Sequence, residues 1–329
     1  MAKKPRNRTA DYATYLAVRA LIAALQTVTP RIAYAVADSF AWLMYTFVKS
    51  RRRVALENVR AAFPELDPGA ADRIVRGMFR HLMRVVVELL WLPRKLHIGN
   101  WRKHLAVPEA DRMLPLMLDG RAVLAVTAHF GSWEMIGCAL GLFGFRTYAI
   151  ARVLDNPHIE RYVLRFRQYT GQTIIAKKDD FDRLTEALRA GGKVATLADQ
   201  DAGPRGVFVD FFGRPASTHK AIALMALEFN AVILVTGTPR VRRADYPQRP
   251  DYDPHSPLAA MFYAVKVADV IDPREYANDP NAVKAITARY TAGLERLIRQ
   301  HPEQYFWLHR RWKHQPVAKK VKAAGSQAA

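Results

Sequence analysis

The sequence predicts an α/β protein: a mostly parallel sheet flanked by helices, with membrane-associating helices at the N-terminus. Three observations lead there. Half of the 329 residues are hydrophobic, enough to bury a large core. Beyond about residue 122, short apolar runs alternate with helical or polar segments, the pattern of a parallel sheet covered on both faces. The charge, 50 Lys and Arg against 30 Asp and Glu for a net +20, is unevenly spread and flanks apolar segments near the start of the chain.

Residues 1–53 read as a basic, apolar membrane-associating segment. Its basic residues surround two apolar stretches, Tyr12 to Val28 and Ile32 to Val48. Each approaches the length of a short bilayer span, yet Arg19 lies inside one and Asp38 inside the other. Interfacial helices, or one marginal span with Lys49 to Arg53 held on the cytoplasmic side, fit this pattern; two ordinary helices of the globular body are the alternative. No small-residue cleavage site follows, so a removed signal peptide is not expected. The positive charge calls for an anionic partner, and an anionic membrane surface fits better than nucleic acid, since no nucleic-acid module is recognisable. The single cysteine, Cys138, fits a reducing compartment and reads as core packing.

Residues 54–316 read as the α/β domain. Helices are expected from 54 to 118, where the run from Ala71 to Leu92 has apolar positions at helical spacing and Pro93 ends it. Strands are expected near 122–127, 146–150, 173–176, 194–198, 231–237 and 262–268, and a last helix from Pro280 to Gln300. Met1 to Arg8 and the tail 317–329 are polar or small-residue ends expected to be disordered.

The segment "VLAVTAHFGSWEMIG", Val123 to Gly137, places His129 and Glu134 either side of Gly131 and Ser132. On a regular helix those two side chains would point about 140° apart. Strand, tight turn and helix is the reading that lets them meet, at the mouth of a sheet where open α/β folds place their chemistry. A histidine there acts as a general base when a carboxylate holds its other ring nitrogen, and Glu134 is the nearest candidate. Ser132 lacks the Gly-x-Ser-x-Gly elbow of a nucleophile. Asp199-Gln200-Asp201 forms an Asp-x-Asp, which in metal-dependent glycosyltransferases binds a cation and a sugar nucleotide, though that reading leaves "HFGSWE" without a role. Zinc is disfavoured, because the histidines include no His-Glu-x-x-His and one cysteine allows no thiolate cluster.

"AHFGSWE" resembles the first motif of the glycerolipid and lysophospholipid acyltransferase superfamily, in its branch of bacterial lipid A late-stage (lauroyl or myristoyl) acyltransferases. The stretches "ENVRAAFPE", "ARVLDNPHIERYVLRFR", "ADQDAGPRGVFVDFFGRPAST" and "PEQYFWLHRRWK" fall in that family's order and spacing over nearly the whole chain. Asp210 departs from it, standing where relatives usually carry an uncharged residue. The resemblance implies transfer of a fatty acyl group from an acyl carrier protein thioester to a hydroxyl of a membrane glycolipid, at the cytoplasmic face of the inner membrane, with no cofactor and no metal. A lysophospholipid acceptor is the alternative. His129 would be the base and Glu134 its partner, with oxyanion donors among the backbone N–H groups after Gly131. Substrate contacts are expected from Arg152, Asn156, Asp199, Gln200, Asp201 and Arg205, with Asn156 doubling as a turn residue and the carboxylates as caps. Phe208 and Phe212 would line the pocket or pack in the core. Arg310, Arg311 and Lys313 beside Trp307 and Trp312 suit a membrane-interface edge or an acidic carrier protein.

Overall fold

The computed structural model describes residues 7–151, 153–176, 180–246 and 261–316. The expected C-terminal tail, most of the N-terminal one and Arg152 lie outside the described residues.

Four helices come first. Asn7 caps α1 (Arg8–Thr27) by accepting from the Ala10 N–H, and Thr29 with Pro30 opens α2 (Pro30–Phe47). Next are α3 (Lys49–Ala62) and α4 (Pro68–Lys95), the latter capped by Asp67 with Pro68 at its first position. α4 runs two residues past Pro93, where the sequence pattern ends it, and stops at Lys95. The stretch after it is not continuous helix but a short turn of 3-10 helix at Trp101–Lys103, then β1 (Leu105–Ala106) and α5 (Ala110–Leu118).

Alternation follows. In chain order come β2 (Val123–Thr127), α6 (Trp133–Leu142), β3 (Thr147–Ala151), α7 (Pro157–Gln168), β4 (Thr173–Ala176), α8 (Phe181–Arg189) and β5 (Lys193–Leu197). A hairpin of β6 (Val207–Phe211) and β7 (Arg214–Thr218) precedes α9 (Ala221–Glu228), β8 (Val232–Gly237), β9 (Tyr263–Ala264), β10 (Lys266–Ile271) and α10 (Ala282–Gln300). The main sheet has the order β10-β8-β2-β5-β3-β4 and is parallel except for β10, which runs antiparallel along β8. The expected parallel α/β architecture is therefore present. Two details differ from expectation: the strand foreseen at 262–268 is split, Tyr263–Ala264 pairing with β1, and the β6–β7 hairpin was not foreseen.

Strand alternation divides the core into two layers. Leu124, Val126, Ile233 and Val235 face α4 and α10, packing with Met78, Phe79, Ile286 and Tyr290. Val123 and Leu234 face the other way, toward Met135 and Cys138 of α6 and Met113 of α5. Burial pushes the Cys138 thiol up to about 12, so it is an inert packing residue, as its apolar surroundings in sequence indicated.

The charge inside the second apolar segment is answered by the body of the protein. Asp38 of α2 meets Arg80 at 3.1 Å and Arg84 at 2.6 Å, both from α4. The rest of the helical pair leaves apolar side chains in the open, among them Leu16 and Leu21 on α1 and Phe40, Trp42 and Phe47 on α2. Among the described residues no helix is long and apolar enough to cross a membrane.

Candidate active site

The turn leaving β2 is fixed from several sides. Gly131 has φ +59°, and a Cβ there would lie 1.9 Å from the Thr238 carbonyl oxygen, so only glycine fits. Its N–H donates to the Gln304 carbonyl at 3.1 Å, and the Ser132 N–H to the Thr238 carbonyl at 2.8 Å. His81 of α4 places Nε2 3.2 Å from the Gly131 carbonyl oxygen. Burial first, then the neighbouring Arg240 charge, pushes the His81 pKa down to about 3, so this ring is neutral near pH 7 and donates from Nε2. With the Gly131 and Ser132 N–H groups occupied, those of Trp133 and Glu134 are the first at the start of α6 without a backbone partner among the described residues.

His129 does meet a carboxylate, but it is that of Asp199. Nδ1 lies 2.9 Å from Asp199 Oδ1, and the His129 N–H donates to Oδ2 at 3.1 Å. Sheet register explains the encounter. β2 and β5 are paired neighbours with Thr127 opposite Leu197, so the residues two beyond each strand end stand side by side. Glu134 lies in the first turn of α6 and turns instead to Arg167 of α7, at 2.6 Å and 3.3 Å in a two-pronged pair. The expectation that Glu134 orients the imidazole is thus corrected: Asp199 holds it.

The electrostatics follow from this geometry. Burial would lower the pKa of His129, yet the charge and hydrogen bond of Asp199, helped by the charge of Glu134, carry it above the ordinary histidine value. Burial would raise Asp199, which is 4% exposed, but the His129 charge and its two hydrogen bonds bring it below the usual carboxylate range. The pair is therefore poised as carboxylate plus histidine, with Nε2 the ring nitrogen free of a partner among the described residues.

Glu134 and Arg167 also line a cavity whose remaining wall is chiefly apolar, including Met113, Met117, Ile136, Leu140 and Leu234. It lies between the α6 face of the sheet and the helices that cover it. Its volume is about 100 Å³, and its wall has the apolar chemistry that suits a hydrocarbon chain.

The other foreseen residues scatter. Asn156 is a cap: its Oδ1 accepts from the N–H groups of His158 and Ile159, while Nδ2 donates to the Asp11 carbonyl of α1. Asp201 joins a separate network, meeting His314 Nδ1 at 2.7 Å and the Gly203 N–H at 3.1 Å, so the two carboxylates of the Asp-x-Asp serve different partners. Gln200 is half-buried and Arg205 is exposed in the following turn. Phe212 is core, packed on Phe63 and Trp307, and Phe208 is half-buried in β6. In the C-terminal run Trp307 is buried, and Arg311 is buried too, donating to the Ser217 carbonyl and Thr218 Oγ1. Only Arg310 and Lys313 of that basic trio face solvent. Arg167 and His81 gave no signal in sequence, because each acts through a partner on a distant segment.

The chain thus combines an α/β fold with a histidine held by a buried carboxylate at a strand-to-helix turn and an apolar cavity alongside. Residues 1–314 match the family described as bacterial lipid A biosynthesis acyltransferase, and the chain belongs to that family. It is similar to the lipid A biosynthesis palmitoleoyltransferase of Escherichia coli (strain K12), 27% identical over 276 residues, covering 82% of this chain and 81% of that protein. It is likewise similar to the lipid A biosynthesis lauroyltransferase of the same strain, 24% identical over 308 residues and 92% of each chain. Among solved structures it is similar to the 1-acyl-sn-glycerophosphate acyltransferase PlsC from Thermotoga maritima, at 13% identity and a TM-score of 0.36, over 82% of this chain and 97% of that one. The chain is an acyltransferase, and its family gives it a glycolipid acceptor.

Proposed function

We propose that this acyltransferase moves a fatty acyl chain from an acyl carrier protein thioester to a hydroxyl of a lipid A precursor, at the cytoplasmic face of the inner membrane. The observation that supports the mechanism is the 2.9 Å contact between His129 Nδ1 and Asp199, which leaves Nε2 to act as base. Nε2 takes the proton of the acceptor hydroxyl as its oxygen attacks the thioester carbonyl. Asp199 fixes the tautomer and stabilises the imidazolium, and the charge of Glu134 adds to that field. The N–H groups of Trp133 and Glu134, without a backbone partner among the described residues, are the donors for the developing oxyanion. Collapse of the tetrahedral intermediate expels the carrier thiolate, which recovers the proton from His129; the products are the ester and the carrier thiol. No acyl-enzyme is needed, because the thioester is already activated. The apolar cavity beside Glu134 and Arg167 takes the acyl chain.

Among the other candidates, Gln200, Asp201 and Arg205 follow β5 on the same loop that delivers Asp199, where an acceptor headgroup would lie. Arg152 keeps its proposed role with an anionic group of either substrate. The test offers the purified protein carrier-protein thioesters of several chain lengths, with a lipid A precursor or a lysophospholipid, with and without EDTA. Acylation of the glycolipid that survives EDTA is expected. Preference for the lysophospholipid, or activity that EDTA removes, would send the assignment to the alternative acceptor or to the Asp-x-Asp chemistry.

The exposed side chains of α1 and α2 and the net charge of +20 support in-plane docking on an anionic bilayer. Replacing Phe40, Trp42 and Phe47 together by Asp should abolish sedimentation with anionic vesicles, since burying each ring contributes about 1.5–3 kcal/mol. Transfer to acceptor in detergent should persist; vesicle binding that survives the triple change would place the membrane contact elsewhere.

A further inference from the structure

A second cavity, of about 340 Å³, lies between α1 and α7. It is lined by three arginines, Arg19, Arg161 and Arg165, by Tyr12, Tyr15 and Tyr162, and by His158. Its size falls in the range of small-molecule sites, roughly 300–1,000 Å³. The lining contains no carboxylate, and none of the three arginines has an acidic partner within 4.0 Å among the described residues. Like charges gathered in one concavity repel, and an anion relieves that repulsion.

Arg19, Arg161 and Arg165 are all exposed, above a floor of packed rings. The Arg19 guanidinium lies over the Tyr162 ring at 4.8 Å and over Tyr15 at 5.9 Å, with Nη1 3.3 Å from the Tyr15 hydroxyl. His158 packs edge-on to Tyr12 at 5.3 Å and against Tyr15 at 5.7 Å. The two helices are tied together beside it by the Asn156 side chain donating to the Asp11 carbonyl.

Helix geometry relates the groove to the reaction centre. Arg161 and Arg165 are four residues apart and share one face of α7. Arg167, two residues on, points to the opposite side, where it meets Glu134. One helix, about 10–12 Å across with its side chains, separates the Glu134–Arg167 pair from the groove. Guanidinium forks match phosphate oxygens.

We propose that the groove between α1 and α7 is a binding subsite for a phosphate group carried on the sugar headgroup of the acceptor glycolipid. The proposal rests on the glycolipid-acceptor reading above. A free phosphate, or the headgroup of an ordinary anionic phospholipid, shares the same charge chemistry, so the test separates the three.

Steady-state transfer is measured for the wild type, for Arg161→Gln/Arg165→Gln, and for the charge-conserving Arg161→Lys/Arg165→Lys. Arg183→Gln/Arg189→Gln on α8 serves as a charge-matched surface control. Loss of charge-assisted hydrogen bonds should raise KM for a phosphorylated lipid A precursor roughly tenfold to a hundredfold, leaving kcat and the KM for the carrier thioester in place. The rise should be absent with the same precursor stripped of phosphate, absent in the α8 control and partly recovered in the lysine pair. Inorganic phosphate, or vesicles containing phosphatidylglycerol, should compete only weakly with the glycolipid. A KM rise of equal size for the stripped acceptor, a rise confined to the carrier thioester, or displacement by phosphatidylglycerol as effective as by the glycolipid itself would each overturn the proposal. Direct binding of the phosphorylated precursor without donor keeps the two readings apart. Binding lost in the glutamine pair supports the subsite even if no acyl transfer to that lipid occurs, whereas transfer with unchanged binding sinks the subsite alone.

Discussion

Asp199→Asn is expected to leave a folded protein that transfers acyl chains about a hundredfold to ten-thousandfold more slowly, the range associated with a positioned general base. An asparagine amide presents either a donor or an acceptor to Nδ1 and cannot balance the imidazolium. The wrong tautomer then carries its proton on Nε2, where the base is needed. A second signature distinguishes this from loss of fold. With neutral His129 as the proposed base, the rate is expected to fall as pH drops through its pKa, and in the wild type that acid limb should lie above the ordinary histidine value of about 6.5 because Asp199 outweighs burial. Removing the carboxylate leaves burial dominant, which lowers the pKa, so the limb should move to lower pH while the plateau falls. A pH–rate profile with an unmoved limb, or with a plateau reduced less than tenfold, would contradict the assigned partner.

Breaking the buried ion pair behind the turn should cost more stability than any other single change in the site region. Glu88 of α4, 1% exposed, holds Arg240 through two contacts of 2.7 Å and 2.8 Å and accepts from the hydroxyls of Tyr34, at 2.6 Å, and Tyr263. The Arg240 N–H donates to Gln304 Oε1, and the Gln304 carbonyl accepts from Gly131, so this cluster backs the turn that presents His129. Removing one member strands a buried charge. Glu88→Leu or Arg240→Leu should each lower the unfolding free energy by about 3–5 kcal/mol, read from urea midpoints. The double variant should lose clearly less than the sum of the two, since neither charge remains to be stranded. Simple additivity would show that the contacts act separately rather than as one paired unit.

The fold was largely legible because each strand of the parallel sheet is a short apolar run between polar segments, and both layers of its core follow from strand alternation. Local exceptions escaped for identifiable reasons. The β6–β7 hairpin turns through Phe212 at φ +57° and Gly213 at φ +72°, a Phe-Gly pair where Asn-Gly would have announced the turn. Pro93 read as a stop, and α4 continues only two residues beyond it, to Lys95. The site was half legible. His129, Glu134 and Asp199 were all singled out, yet which carboxylate holds the histidine depends on β2 lying beside β5 in register, a pairing across 70 residues that local pattern does not encode. Arg311 read as part of a basic edge, but the carbonyl of Ser217 and the hydroxyl of Thr218 draw it inside.

The most direct test of His129 as the base is acyl transfer by His129→Ala, measured with carrier-protein thioester and lipid A precursor alongside a thermal melt of the same preparation. The expected result is an unchanged melting temperature with transfer lost by at least two orders of magnitude. A variant that melts with the wild type and still transfers acyl chains within about tenfold of it would show that the proton is taken by another group.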